Sequence, residues 1–303
     1  MPTTDNAAQN RCLKAYKTKT NLMGSVQRVS VHGGHSGEFC CHAADSLEEI
    51  VVAYLERGFD WVGITEHIPP VDDRFRYPEE IEAGLNARQL YDRFERYIAT
   101  CRHLQLKYVQ SIQLYVGFET EACSGSIPFI RDLVRLFVPD YIVGSVHHVD
   151  DIGFDYSADW YARAVAASGS LEALYCRYFD AQYQFLSAVR PQVVGHFDLI
   201  RIFDPSYEAI FALPSVQNRV RRNLELVHSL GMIMDVNVRA ITKGAAEPYP
   251  TQTILRQAIE MGIPVAPGDD SHGVDTVGLN IDRAVEALRD LGADLNWRRP
   301  AKS

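Results

Sequence analysis

The chain has 303 residues, enough to bury a large core either as one closed α/β barrel, which commonly uses ~250 residues, or as two smaller domains. Apolar residues make up 47% and charged residues 23%, an ordinary balance for a water-exposed fold. Thirty basic against 39 acidic side chains leave a net charge of −9, which argues against nonspecific binding to nucleic acid or an acidic membrane but leaves room for a small anionic substrate in a local basic pocket.

Residues 1–24 are polar, lack the apolar stretch of a secretory signal and read as a poorly ordered extension. A single barrel domain is expected over 25–303. No apolar run reaches the ~18 residues that would span a bilayer. The six cysteines show no zinc-ribbon spacing, and reduced thiols in a cytoplasmic protein are expected.

From Val26 onward short β-rich runs alternate with longer amphipathic ones. The expected strands are 26–31, 60–65, 111–118, 140–146, 192–197, 232–238 and 264–268. Several are apolar nearly throughout, as in strands covered on both faces. Ser46 and Glu49 suggest a capping box ahead of Ile50, Val51, Tyr54 and Leu55. Gly58, Gly231, Gly262 and Gly292 each follow a helical run and suit a left-handed cap. Seven strand–helix units imply parallel strands and an imperfect α/β barrel. An open doubly wound sheet is the alternative, but no Gly-rich phosphate loop follows the first strand, so a dinucleotide fold is not expected.

Each strand ends in groups that can bind metal: His32 and His35, with His42 further on; Glu66 and His67; Glu119 and Glu121; His147 and His148; His196 and Asp198; Asp235 and Asn237; then Asp269, Asp270 and His272. In a parallel barrel these ends open on one face, where active sites are built. A lone histidine at a strand end is ordinarily a polar loop residue. Here eight of the ten histidines fall at or just past such ends, while His103 and His228 lie in helical runs. Imidazoles with carboxylates and few thiolates suit zinc, manganese or iron in an open site. The number of ligands fits two or three divalent ions, an arrangement suited to phosphoester hydrolysis.

The segments TEH, GFETE, GSVHH, VGHFDLIR, KGAAEPYP and GDDSH, with HSGEFCCHA at the start, resemble in order the PHP superfamily, and within it the histidinol-phosphate phosphatases. The resemblance spans about residues 30–280. It implies a distorted (β/α)7 TIM-like barrel with metal at the carboxyl ends of its strands. The implied reaction is hydrolysis of L-histidinol phosphate, a step of histidine biosynthesis, by a metal-bridging hydroxide. His35, His42, His67, Glu119, His147, His196, Asp270 and His272 are the implied ligands, with Glu119 bridging two ions and Asp270 or His272 donating a proton to the leaving alkoxide. One departure stands out: the family opens with His-x-His, two imidazoles on one strand face, whereas this chain has His32-Gly-Gly-His35. A bulge at the glycine pair would absorb the extra residue and return His32 to the metal.

A phosphate dianion also calls for cations. Arg201 is the first choice, then Lys243 and Arg239, with Arg74 and Arg76 in reach. Glu121, Asp198 or Asp155 could pair with a substrate ammonium group. Cys40 and Cys41 read as packing residues. The alternatives are a phosphoesterase for another small phosphomonoester, such as a nucleotide or sugar phosphate, and a metal-binding barrel without catalysis.

Overall fold

A computed structural model describes residues 26–301; the expected extension over 1–24 lies outside them. The strands run β1 (Val29–Gly33), β2 (Trp61–Ile64), β3 (Gln113–Thr120), β4 (Tyr141–Gly144), a short hairpin of β5 (His148–Val149) and β6 (Ile152–Gly153), then β7 (Val193–Val194), β8 (Ile233–Asn237) and β9 (Val265–Gly268). Seven of them form one sheet in the order β1-β2-β3-β4-β7-β8-β9, with every neighbouring pair parallel. All seven expected strands are present, and the hairpin is an addition to them. Between consecutive barrel strands the chain returns through helices, including Leu47–Glu56, Ala87–Lys107, Ser126–Phe137, Leu171–Val189, Pro214–Ser229 and Gln252–Glu260.

The ring is nearly closed. No ladder joins β1 to β9 among the described residues, but their carboxyl ends are laced together. Asp270 N donates to His32 O and His35 N donates to Ser271 O, each at 2.8 Å. Ser30 Oγ donates to Asp269 Oδ1 at 2.6 Å. Asp269 also accepts from the Tyr54 hydroxyl at 2.8 Å and the Gly278 amide at 2.6 Å, so one buried carboxylate holds the seam.

Local sequence explains the elements. Ser46 and Glu49 form the capping box of helix Leu47–Glu56, which buries Leu47, Ile50, Val51 and Tyr54 against the sheet; each such aliphatic side chain contributes about 1.5–3 kcal/mol of burial. Gly58, Gly231, Gly262 and Gly292 all take left-handed φ, between 62° and 75°, and end their helices as the sequence suggests. The barrel interior is filled by Tyr141, whose hydroxyl donates to Val31 O at 2.6 Å. Gly63 makes this possible, because a Cβ there would overlap the Tyr141 hydroxyl.

The β1–β2 register shows what becomes of the extra residue in the first motif. Ser30 pairs with Val62, but Gly33 pairs with Ile64, so three steps on β1 match two on β2. That is a bulge. It is followed by Gly34 at φ 73°, a conformation that costs glycine little. The bulge turns His32 and His35 towards the same centre, with their rings 6.1 Å apart.

Candidate metal centre

The carboxyl ends of the strands converge on Glu119, near the end of β3. Its Oε1 lies 2.8 Å from His196 Nε2 and 3.4 Å from His147 Nε2. Its Oε2 lies 3.0 Å from His67 Nδ1 and 3.4 Å from His32 Nε2. One buried carboxylate thus faces four imidazoles, two on each oxygen. On the far side Asp270 Oδ1 stands 3.3 Å from His35 Nε2 and 3.5 Å from His272 Nδ1. His42 caps the cluster, with its ring 5.0 Å from His272 and 5.5 Å from His67.

Three overlapping groups bring their donor atoms within 4.8 Å of one another: His32, Glu119 and His196; His32, His35 and Asp270; His35, His67 and Glu119. Several of these atoms are buried with no hydrogen-bond partner, namely His32 Nε2, His35 Nε2, His67 Nδ1, Glu119 Oε2 and Asp270 Oδ1. Buried polar atoms are nearly always satisfied in folded proteins. A set of unpartnered lone pairs aimed at one another fits divalent cations, and the donor types match zinc, manganese or iron.

A second layer of carboxylates orients the imidazoles. His32 Nδ1 lies 2.9 Å from Asp235 Oδ2, His35 Nδ1 2.9 Å from Glu66 Oε1, and His147 Nδ1 3.0 Å from Glu121 Oε1. Each pairing favours the proton on Nδ1 and turns Nε2 to the centre, as at metal sites generally. Asn237 Nδ2 donates to Asp235 Oδ2 at 3.0 Å and to Asp270 Oδ2 at 3.2 Å. Tyr77 donates its hydroxyl to Glu121 Oε1 at 2.9 Å. The sequence reading noted these acids at strand ends without giving Asp235 or Glu66 a task, and it did not register Tyr77. Asp270 holds φ at 45°, the left-handed region that Asp tolerates better than most residues.

Electrostatics follow from burial and charge. Burial opposes ionisation of Glu119, but His32, His147 and His67 outweigh it and hold the carboxyl well below the usual range. Asp270 is likewise buried yet held well below its ordinary value by His32, His35 and His272. Burial works against a charge on His35, while Glu66 and Asp270 overcome it and raise the imidazole to about 9.

Asp270 and His272, the residues expected to donate a proton, stand side by side in the cluster, with Asp270 Oδ1 3.5 Å from His272 Nδ1. His272 directs Nδ1 to the Asp270 carbonyl at 2.9 Å, and burial followed by His35 holds its pKa well below the ordinary value.

Above the cluster lies a cavity of about 270 Å³. Arg239 and Lys243 line it just after β8. Glu79 and Tyr77, beyond β2, and Asp155 and Tyr156, beyond β4, line it too. β8 stands across the ring from β3, so the cavity is cationic on one side and acidic on the other. Arg201 is placed differently from expectation. It is buried behind the wall, donating to Glu247 O at 3.2 Å and Pro248 O at 2.5 Å, 3.4 Å from Asp198, with its guanidinium over the Tyr249 ring. It braces the strap 247–250, and Tyr249 rather than Arg201 faces the cavity. Arg74 and Arg76 pair with Asp72 and Asp73 and do not line it. Among the ammonium candidates, Glu121 is held by His147, His148 and Tyr77 and Asp198 accepts from Thr251 N, which leaves Asp155 open to the cavity.

A parallel barrel with a histidine–carboxylate cluster at its strand ends defines a hydrolase-type metal site, and the sequence matches the PHP domain family over residues 32–239; the chain belongs to that family. A probable histidinol-phosphatase of Schizosaccharomyces pombe is 35% identical over 268 residues, 87% of each chain. The histidinol-phosphatase of Saccharomyces cerevisiae is 28% identical over 294 residues, covering 86% of this chain and 88% of that one. A crystal structure of histidinol phosphate phosphatase from Lactococcus lactis, complexed with zinc, L-histidinol and phosphate, matches with a TM-score of 0.70 over 89% of this chain and 95% of that one. At 18% identity that likeness speaks for the fold alone.

Proposed function

We propose that the protein is a metal-dependent phosphoric monoester hydrolase that converts L-histidinol phosphate and water to L-histidinol and phosphate, a step of histidine biosynthesis. The observation that carries the reading is Glu119, whose two oxygens each face a separate pair of imidazoles beneath a cavity cationic at one side and acidic at the other. The names of relatives with 35% and 28% identity support the substrate.

His32, His35, His42, His67, Glu119, His147, His196, Asp270 and His272 would hold two or three divalent ions, with Glu119 shared between two of them. Such ions supply positive charge to phosphoryl oxygens and make a water nucleophilic at neutral pH. The chain's own residues do the rest. Arg239 and Lys243 steer and hold the phosphate dianion. Asp155 receives the substrate ammonium group, and the acidic rim around Glu79 favours a cationic partner over a second phosphate. Asp270, or His272 beside it, would pass to the leaving alkoxide the proton released as water attacks phosphorus. The amine-bearing end distinguishes this substrate from sugar or nucleotide phosphates, which offer no ammonium to Asp155.

Among the described residues no helix is long and apolar enough to cross a membrane, and Cys40, Cys41, Cys101, Cys123 and Cys176 are free thiols; a cytoplasmic location is part of the same proposal.

Single turnover in oxygen-18 water tests the chemistry, with label expected in phosphate; label in histidinol would refute attack at phosphorus. A panel of phosphomonoesters tests the substrate. Histidinol phosphate is expected to give the highest kcat/KM, and equal turnover across the panel would refute the specificity.

A further inference from the structure

Next to the three nitrogen–oxygen donor groups lies a fourth of different chemistry. One donor atom each from Cys40, His42, His67 and His272 lies within 4.8 Å of all the others. We propose that Cys40 supplies a thiolate to the outermost cation of the cluster, which makes that position a soft three-histidine, one-cysteine zinc site beside inner positions built from imidazole and carboxylate. The inference rests on the metal-dependent reading above and adds to it a donor and a metal preference for one position.

Burial of Cys40 sets it apart from an ordinary packing cysteine. It is 6% exposed, yet it lies outside the apolar core cluster. The small hollow beside it has an apolar wall that includes Phe39, Ile68 and Leu90 and a polar one that includes His42, Glu66 and His67, so the thiol sits where the packing meets the imidazoles. The loop is wound to present it: Cys40 N donates to Ser36 O at 2.8 Å and Ala43 N to Cys40 O at 3.4 Å. Arg93 fixes the outside of the turn through Glu38 O at 2.7 Å and Gly37 O at 3.0 Å. The same arginine draws Cys41 away, with its Nη1 3.0 Å from Cys41 Sγ. Two adjacent cysteines are thereby sorted, Cys40 to the histidines and Cys41 to a guanidinium.

Zinc takes Cys and His together in tetrahedral sites, and thiolate donors select it over manganese, which prefers oxygen and nitrogen. On binding, the thiol proton is released to solvent and the sulfur lone pair forms the bond to the ion, with no change of oxidation state. The structure thus assigns different affinities to neighbouring positions: the inner ones accept manganese, iron or zinc, and the outer one holds zinc or cadmium against competition by manganese.

The test is ultraviolet difference spectroscopy of the full-length protein loaded with cadmium, with metal content measured on the same samples. A thiolate-to-cadmium band is expected in the wild type and in Cys41→Ser, and is expected to be lost in Cys40→Ser. In chelator competition, Cys40→Ser should release one zinc equivalent at about tenfold or more lower chelator concentration, on the scale of losing a supporting group at a metal site, while the remaining ions stay bound. A wild-type protein that binds its ions and shows metal-dependent phosphatase activity but no thiolate band would overturn the inference and leave the phosphatase reading standing. Persistence of the full band in Cys40→Ser would overturn it equally. Absence of both metal binding and metal-dependent hydrolysis would overturn the parent reading and this one together.

Discussion

Replacing Glu119 by glutamine changes one atom and removes one charge at the point where the imidazoles meet. The carboxylate oxygens lie 2.8 to 3.4 Å from His196, His147, His67 and His32. An amide group keeps one oxygen and turns an N–H₂ donor onto two nitrogen lone pairs, so one of the two shared positions loses its bridge. A unit charge ~4 Å away, at the effective dielectric of ~20 that suits protein sites, is worth ~4 kcal/mol. That corresponds to a fall in kcat of about a thousandfold, with further loss from depleted metal. The fold should survive, because glutamine has the same shape and the strands are held by the ladders and by the seam at Asp269. Steady-state hydrolysis of histidinol phosphate, metal content per chain and far-ultraviolet circular dichroism should be measured together. A folded Glu119→Gln with full metal content and kcat within tenfold of wild type would refute the bridging role.

His32→Ala should lose activity about as severely as His67→Ala, because the bulge delivers His32 to Glu119; a mild His32 variant beside a dead His67 variant would mean that His32 stands apart from the ions. Asp235→Asn keeps the ligand but weakens its orientation, and metal retention should fall about 10–100-fold in a chelator titration. Arg201→Ala leaves Asp198 buried and unpaired, so urea unfolding should show a loss of about 3–5 kcal/mol, whereas Lys243→Ala should raise KM with little loss of stability; unchanged stability in the Arg201 variant would restore it as a phosphate ligand. Asp140 tests the foot of the barrel, where it accepts from Val116 N at 2.8 Å, Arg102 Nη1 at 2.8 Å and Gln105 Nε2 at 2.9 Å. Burial opposes its charge, but these donors prevail and lower its pKa. Its contribution is therefore present above the unfolded-state value and is lost as pH falls through the folded one. Asp140→Asn should cost about 1–3 kcal/mol at neutral pH and less in acid, which denaturant titrations at several pH values would show; an equal cost at every pH would refute the assignment.

The amino-acid sequence by itself determined the strand count, the parallel order and the face on which the site would form. Those properties follow from short-range pattern: runs such as WVGI and YIVG are apolar on both faces, and glycines after helices set the turns. The ligand types were legible too, since His67, Glu119, His147, His196 and His272 all stand at strand ends, and a parallel ring must bring such ends together. Three features depended on distances between residues far apart in sequence, which no local pattern encodes. That His32 and His35 both turn to one centre despite the Gly-Gly spacer was decided by the β1–β2 register, which absorbs the extra residue before Gly33. The partners of Arg201 were settled by where the strap 247–250 lies, so a cation suited to phosphate became a buried brace. Asp155, rather than Glu121 or Asp198, was left open to the cavity because His147, Tyr77 and Thr251 reach the other two first. Residue type limits which chemistry is available, and only packing in three dimensions selects which of several equivalent charges stays free to use it.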